Sequence, residues 1–143
     1  MWSCQEGVLV DQFHDIQNSE WEYENKVLDT FDVEQPGFYH QISANLRISG
    51  EYAYSNIHLL LTATHPDGKI TTHKIPLELA EKSGKWLGSG LGDVISFQIP
   101  ILHRKYLNQK GTYRFEITQD MRLNPLPNVL SSGIRVEQQE EIF

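Results

Sequence analysis

Ser89 between two glycines, Asp67 and Asp93 beside glycines, six histidines and a single cysteine are the groups here whose types could do chemistry. Their spacing decides which chemistry is open to them. A serine nucleophile on a sharp elbow requires G-x-S-x-G, whereas Ser89 sits in Gly88-Ser89-Gly90 and does not match. Zinc requires several ligands converging tetrahedrally. His14, His40, His58, His65, His73 and His103 form no HxH, HxxxH or HExxH arrangement; only His65 and His73, flanking one turn, are placed to face each other. The D-x-D-x-D-G pattern of a calcium loop is missing, leaving Asp67 and Asp93 as weak candidates.

Gly84, Gly88, Gly90 and Gly92 are four of the ten glycines and fall within nine residues around Trp86. A phosphate cradle would need G-x-G-x-x-G or GK[ST] opening a helix, so that amide groups and the helix dipole face the anion. Here the spacing is G-x-G-x-G and a β-like segment follows, so a structural loop that presents Trp86 is expected. No catalytic residue, metal site or cofactor site is assigned. A hydrolase built on two carboxylates that meet in space is the weakest alternative.

Binding groups are easier to find. Tyr52, Tyr54 and Asn56 in EYAYSN, Trp86 in the glycine loop, and Arg122 at a strand end are the candidate partner-binding residues. Exposed aromatics on loops anchor protein interfaces and also form carbohydrate platforms. The competing reading is that Tyr52, Tyr54 and Trp86 cap the ends of a core.

These groups need elements to hold them. In Phe38–Ile48 apolar residues alternate with Tyr39, Gln41, Ser43, Asn45 and Arg47, the period of a half-buried strand. Similar alternation marks strands at 30–34, 57–63, 69–75, 94–102 and 111–121, with shorter ones at 133–137 and a candidate edge strand within 7–13. His65-Pro66-Asp67-Gly68-Lys69 predicts a hairpin, because proline presets φ and Asp-Gly supplies positive φ. The spacing predicts one short helix over 76–82, with proline first and Gly84 ending it. The expectation is an all-β, antiparallel β-sandwich, immunoglobulin-like or jelly-roll-like.

Charge divides the chain. Residues 1–36 carry nine acids against Lys26, whereas the remainder is nearly neutral within a net charge of −7. Nucleic acid or an anionic lipid surface is therefore a poor partner for residues 1–36, and no nucleic-acid partner is expected. Residues 1–20 read as an acidic leader and 21–143 as one sandwich domain. Cys4 follows Ser3 and precedes the acidic segment, as the acylated cysteine of a bacterial lipoprotein would. The charged and apolar regions of a signal peptide do not precede it, so an incidental thiol is the alternative.

Three segments, LRISGEYAYSNIHLLL (46–61), LELAEKSGKWLGSGLGDV (77–94) and GTYRFEITQDMR (111–122) with SGIRVE (132–137), resemble the GldH family of gliding-motility lipoproteins of Bacteroidetes-type bacteria. Val8–Phe13 and Trp21 also fit its pattern. The resemblance implies a membrane-anchored envelope lipoprotein facing the periplasm, acylated at Cys4, without enzymatic activity or cofactor. Its partners would be other gliding-motility or associated secretion proteins. The alternative function is a carbohydrate-binding β-sandwich module.

Overall fold

Strands whose apolar side chains alternate have one face to bury, and two such sheets bury their faces against each other. The computed structural model describes residues 7–141. In chain order its strands are β1 (Val8–Asp11), β2 (His14–Asp15), β3 (Glu20–Trp21), β4 (Val27–Val33), β5 (Phe38–Ser49), β6 (Asn56–Thr64), β7 (Ile70–Glu78), β8 (Ser89–Leu91), β9 (Val94–Tyr106), β10 (Gly111–Gln119), β11 (Leu126–Pro127) and β12 (Val129–Glu141).

One sheet has the order β1-β12-β5-β9-β8, with β2 also on β12; the second has the order β4-β10-β6-β7; β3 and β11 form a small ladder. Every pair is antiparallel. Counting only β1, β4, β5, β6, β7, β9, β10 and β12, and numbering them one to eight, the sheets read 1-8-3-6 and 2-7-4-5. That order is a jelly roll, which selects one of the two expected sandwich types.

The core lies between the sheets. Ala44, Leu46, Ile48, Ile134 and Val136 face Ile57, Leu59, Leu61, Phe115 and Ile117, all buried. Phe31 stacks on Tyr113 with centroids 5.5 Å apart and meets Phe115 edge-on at 5.0 Å. The expected hairpin is present: His65 N–H donates to Lys69 O (2.8 Å), and Gly68 takes φ +90°.

The segment read as an acidic leader contributes to this frame from Val8 onward. β1 and β2 pair with β12, and between them Gln12 and Phe13 cross over the outer face of the first sheet. Asn45 Nδ2 donates to Asp11 Oδ1 (2.8 Å) and Gln12 O (2.9 Å), and the Arg47 guanidinium lies 4.0 Å over the Phe13 ring. Covered on both sides, Ser43 and Asn45 are buried despite facing outward in the alternation. Cys4 lies outside the described residues.

Three expectations are corrected. Residues 76–78 are not helical but extend β7, because Ile75, Leu77 and Leu79 keep a period of two and all three are buried. Pro76 is tolerated there because β7 is an edge strand. The only helical turn among the described residues is the 3-10 turn at Gln17–Ser19. The last strand is not a short one at 133–137 but thirteen residues long and flanked by β1 and β5. Ser89–Leu91, expected as loop, forms β8 on β9.

The strands leave two ends about 30 Å apart, at roughly 3.3 Å per residue. At the loop end, segments 49–55, 79–93 and 119–128 interlock: Gly50 N–H donates to Asp93 O (2.9 Å), Leu79 N–H to Ser55 O (2.7 Å), and Ser49 Oγ to Asn128 Oδ1 (3.1 Å). At the opposite, chain-entry end, Gly7 O accepts Gln138 N–H (2.7 Å) and Gln109 Nε2 donates to Asp67 Oδ2 (2.9 Å).

Candidate recognition groove

Tyr54, Asn56 and Arg122, three of the five residues singled out in the sequence, line one groove of about 420 Å³ at the loop end. His58, Asp120, Met121 and Leu123 complete it. The β-sheet register brings them together. β6 begins at Asn56 and lies beside the end of β10, so Asp120 N–H donates to His58 O (2.7 Å). Alternation then turns Asn56 and His58 to the same outer face, with Asn56 Nδ2 3.3 Å from His58 Nε2.

The other wall is a loop pinned from beneath by Gln119, which is 2% exposed. Its amide donates to Leu123 O (3.0 Å) and Trp21 O (3.2 Å), and its carbonyl accepts Met121 N–H (2.7 Å). Tyr23 adds a bond from its hydroxyl to Met121 O. One side chain thereby holds Met121 to Leu123 in place. Nothing in the local sequence announces Gln119, because it sits on the apolar face of β10 where the pattern calls for a hydrophobe.

Tyr52 and Trp86 lie behind the groove rather than in it. Tyr52 is 4% exposed, its hydroxyl donates to Asn56 O (2.8 Å), and burial raises its phenol far above the ordinary tyrosine value. Trp86 is half-buried against the core, bridged to Ala80, with its ring 6.4 Å from that of Tyr52. Tyr54 meets Tyr52 edge-on at 5.7 Å and is itself 39% exposed. The aromatics therefore form an edge-packed cluster, with Tyr54 outermost.

Around the groove the surface is apolar and acidic. Of the eight large hydrophobic residues exposed among the described residues, Tyr23, Leu28, Tyr54, Leu87, Leu91 and Leu123 lie toward this end, Leu91 at 87% exposure. Glu20, Glu22, Glu24, Glu51, Glu78, Asp93 and Asp120 surround them, none in an ion pair among the described residues. Arg122 likewise has no ion-pair partner among the described residues.

The remaining chemical candidates disperse. Asp67 and Asp93 lie at opposite ends of the sandwich. His65 and His73 do line one narrow crevice, together with Lys105. Burial holds both below the ordinary histidine value, and Lys105 pushes the same way. Among the described residues no three His, Cys, Asp or Glu side chains are grouped to hold a metal.

Frame and groove together define a jelly-roll sandwich with a candidate groove of mixed aromatic, amide and guanidinium lining at one end. The chain belongs to the GldH lipoprotein family, whose model matches residues 8–136. It is 26% identical to the "Gliding motility lipoprotein GldH homolog" of Christiangramia forsetii, over 96% of this chain and 88% of that protein. It is 21% identical to the "Gliding motility lipoprotein GldH" of Flavobacterium johnsoniae, over 98% of this chain and 91% of the relative. No solved structure matches the chain.

Proposed function

We propose that this protein is a non-catalytic lipoprotein of the cell envelope, held at a membrane through acylated Cys4, facing the periplasm, and acting in a gliding machinery through protein–protein contacts. The observation that carries the contact role is the loop-end groove. Tyr54, Met121 and Arg122 are residue types over-represented at interfaces, and exposed Leu123 lines the groove with them. Membership of a lipoprotein family and relatives named for gliding motility support the setting. Groove and anchor would act at opposite ends, since the described chain begins at Gly7 beside Gln138. Several acyl chains would hold it stably, where one gives only marginal binding.

The test is recovery of the full-length, signal-bearing protein from its own cells, alongside Cys4→Ala and a Tyr54→Ala/Arg122→Ala variant. Gliding or secretion components should accompany the parent protein in the membrane fraction. Cys4→Ala should leave that fraction, and the groove variant should stay there without the companions. Companions kept by the groove variant would remove the groove from the reading. A parent protein that is recovered alone and is as soluble as Cys4→Ala would remove the anchor and bring a carbohydrate-binding module forward.

A further inference from the structure

The sandwich is closed along one side and open along the other. On the closed side β4 packs against β1 and β12, and His14 reaches Asp29 across the gap. On the open side a cleft of about 460 Å³ separates β7 from β9, with His73, Ile75 and Leu77 on one wall and Pro100, Ile101 and Leu102 on the other. β7 is the free edge of its sheet. Bonded and non-bonded pairs alternate along an antiparallel ladder. His65 N–H on Lys69 O (2.8 Å) and Leu79 N–H on Ser55 O (2.7 Å) are bonded pairs of the β6–β7 register. The backbones of Thr71, His73, Ile75 and Leu77 therefore turn to β6, and those of Ile70, Thr72, Lys74, Pro76 and Glu78 turn away from it. No strand among the described residues pairs with that outward set. Pro76, which has no N–H, falls in it. Past Glu78 the edge is closed, where Leu87 N–H donates to Leu79 O (2.8 Å). β9 offers no comparable edge, because β8 covers Val94–Ser96 and the register shifts on either side of Leu102.

The same alternation sorts the side chains of β7. Ile70, Thr72 and Lys74 are exposed on the outer face, Thr71 and His73 are half-buried, and Ile75 and Leu77 are buried toward the core. Charge is sorted across the molecule as well. The strands around the cleft, β5, β6, β7 and β9, carry Arg47, Lys74, Arg104 and Lys105 against Glu78 alone, in a chain of net charge −7. The connections at the two ends of β7 are balanced, Asp67 against Lys69 and Glu81 against Lys82. Lys74 and Lys105 have no ion-pair partner among the described residues. Lys105 lines the narrow crevice that adjoins the cleft at His73 and Leu102.

We propose that the β7 edge from Ile70 to Lys74 is a strand-addition site for an extended segment of a partner protein in which apolar and acidic residues alternate. Main-chain hydrogen bonds to Ile70, Thr72 and Lys74 supply the affinity, and the alternating side chains supply the specificity. The apolar ones turn inward over Ile101 and Leu102, and the acidic ones lie on the outer face beside Lys74. Charge complementarity favours that occupant. A second copy of β7 is a poorer one, because two-fold pairing centred on the strand would set Lys74 directly opposite the same lysine of the other copy. The site is separate from the loop-end groove and stands whether or not the groove binds a partner.

The experiment is amide exchange of the 143-residue chain with a short peptide alternating valine and glutamate, compared with one alternating valine and lysine. Slower exchange of the Ile70, Thr72 and Lys74 amides is expected with the glutamate peptide and not with the lysine peptide. Thr72→Pro removes one outward N–H without touching the β6 ladder and should abolish the protection. Lys74→Glu should weaken the glutamate peptide about fivefold, the equivalent of about 1 kcal/mol for an opposed pair. Unfolding midpoints of both variants monitor the fold. Should Thr72→Pro unfold, methylating the peptide's own alternate amides makes the same test: one of the two sets should cost all protection and the other little. No protection of the three amides, equal protection by both peptides, or protection that survives Thr72→Pro in a folded chain would overturn the proposal. Protection that grows with protein concentration in the absence of peptide would also overturn it, assigning the edge to a second copy.

Discussion

His14 Nε2 lies 2.6 Å from Asp29 Oδ1, joining the segment that precedes the sandwich's own hairpins to a strand of the opposite sheet. Asp29 is 5% exposed, and its second oxygen accepts Ile134 N–H (3.2 Å). Burial raises its carboxyl above the ordinary aspartate value, against the lowering influence of His14 and Ile134. The native state therefore takes up this proton before the unfolded chain does, and Asp29's contribution to stability falls as pH rises from about 4 through the raised value. Asp29→Asn keeps an acceptor for Ile134 and removes the titration. The difference in urea midpoint between parent and variant should change through that acidic window and be constant above it. A difference that is constant across the window would show that Asp29 does not titrate abnormally.

Gln119 sets the groove's shape, so its loss should disturb groove and stability together. Gln119→Ala leaves Met121 N–H and two carbonyls without their partner, at about 1–3 kcal/mol for such buried groups. A drop of roughly 5–10 °C in the unfolding midpoint is expected. Faster amide exchange confined to residues 119–125 should precede global opening. An unchanged exchange pattern would mean that Tyr23 and the β3–β11 ladder suffice to hold the loop.

Where one face of a strand is buried and the other wet, the sequence pattern located it, as in β6 and β10 with their strict alternation. The pattern failed where burial is two-sided. β12 was legible only from Gly133 because Ser131 and Ser132 are buried polar residues and interrupt the apolar face. β5 kept its boundaries, but the cover that buries Asn45 comes from Gln12, thirty-three residues away, and no local rule predicts that crossing. The groove was half legible. Tyr54, Asn56 and Arg122 stood out as exposed binding types, while Asp120, Met121 and Leu123 joined through register and loop pinning. Tyr52 and Tyr54 look equivalent in sequence, and only the fold turns one inward.

Gly133 tests the crossing directly. It is glycine for close approach, since a Cβ would stand 2.0 Å from Gln12 O. Gly133→Ala must push Gln12 and Phe13 off the sheet, breaking the bonds from Asn45 and exposing its amide. A loss of about 2–3 kcal/mol is expected, in line with over-packing and an unpaired buried polar group. Exchange at residues 7–13 should rise more than in the core. Equal destabilisation everywhere would show that the segment unfolds only with the whole sandwich.

The aromatic cluster makes opposite predictions for its inner and outer members. Tyr52 and Trp86 pack on the core, so Trp86→Ala should cost about 2 kcal/mol or more, and Tyr52→Phe about 1 kcal/mol through the bond to Asn56 O. Arg122 is exposed and Tyr54 gives the core only an edge contact with Tyr52, so their alanine variants should unfold within about 1 kcal/mol of the parent. In partner recovery the order reverses. Tyr54→Ala and Arg122→Ala should lose companions at full stability, whereas Tyr52→Phe should keep them. Thermal unfolding and recovery from native cells, measured on the same four variants, separate the two roles. Loss of companions with Trp86→Ala at unchanged stability would make the glycine loop part of the contact surface rather than its support.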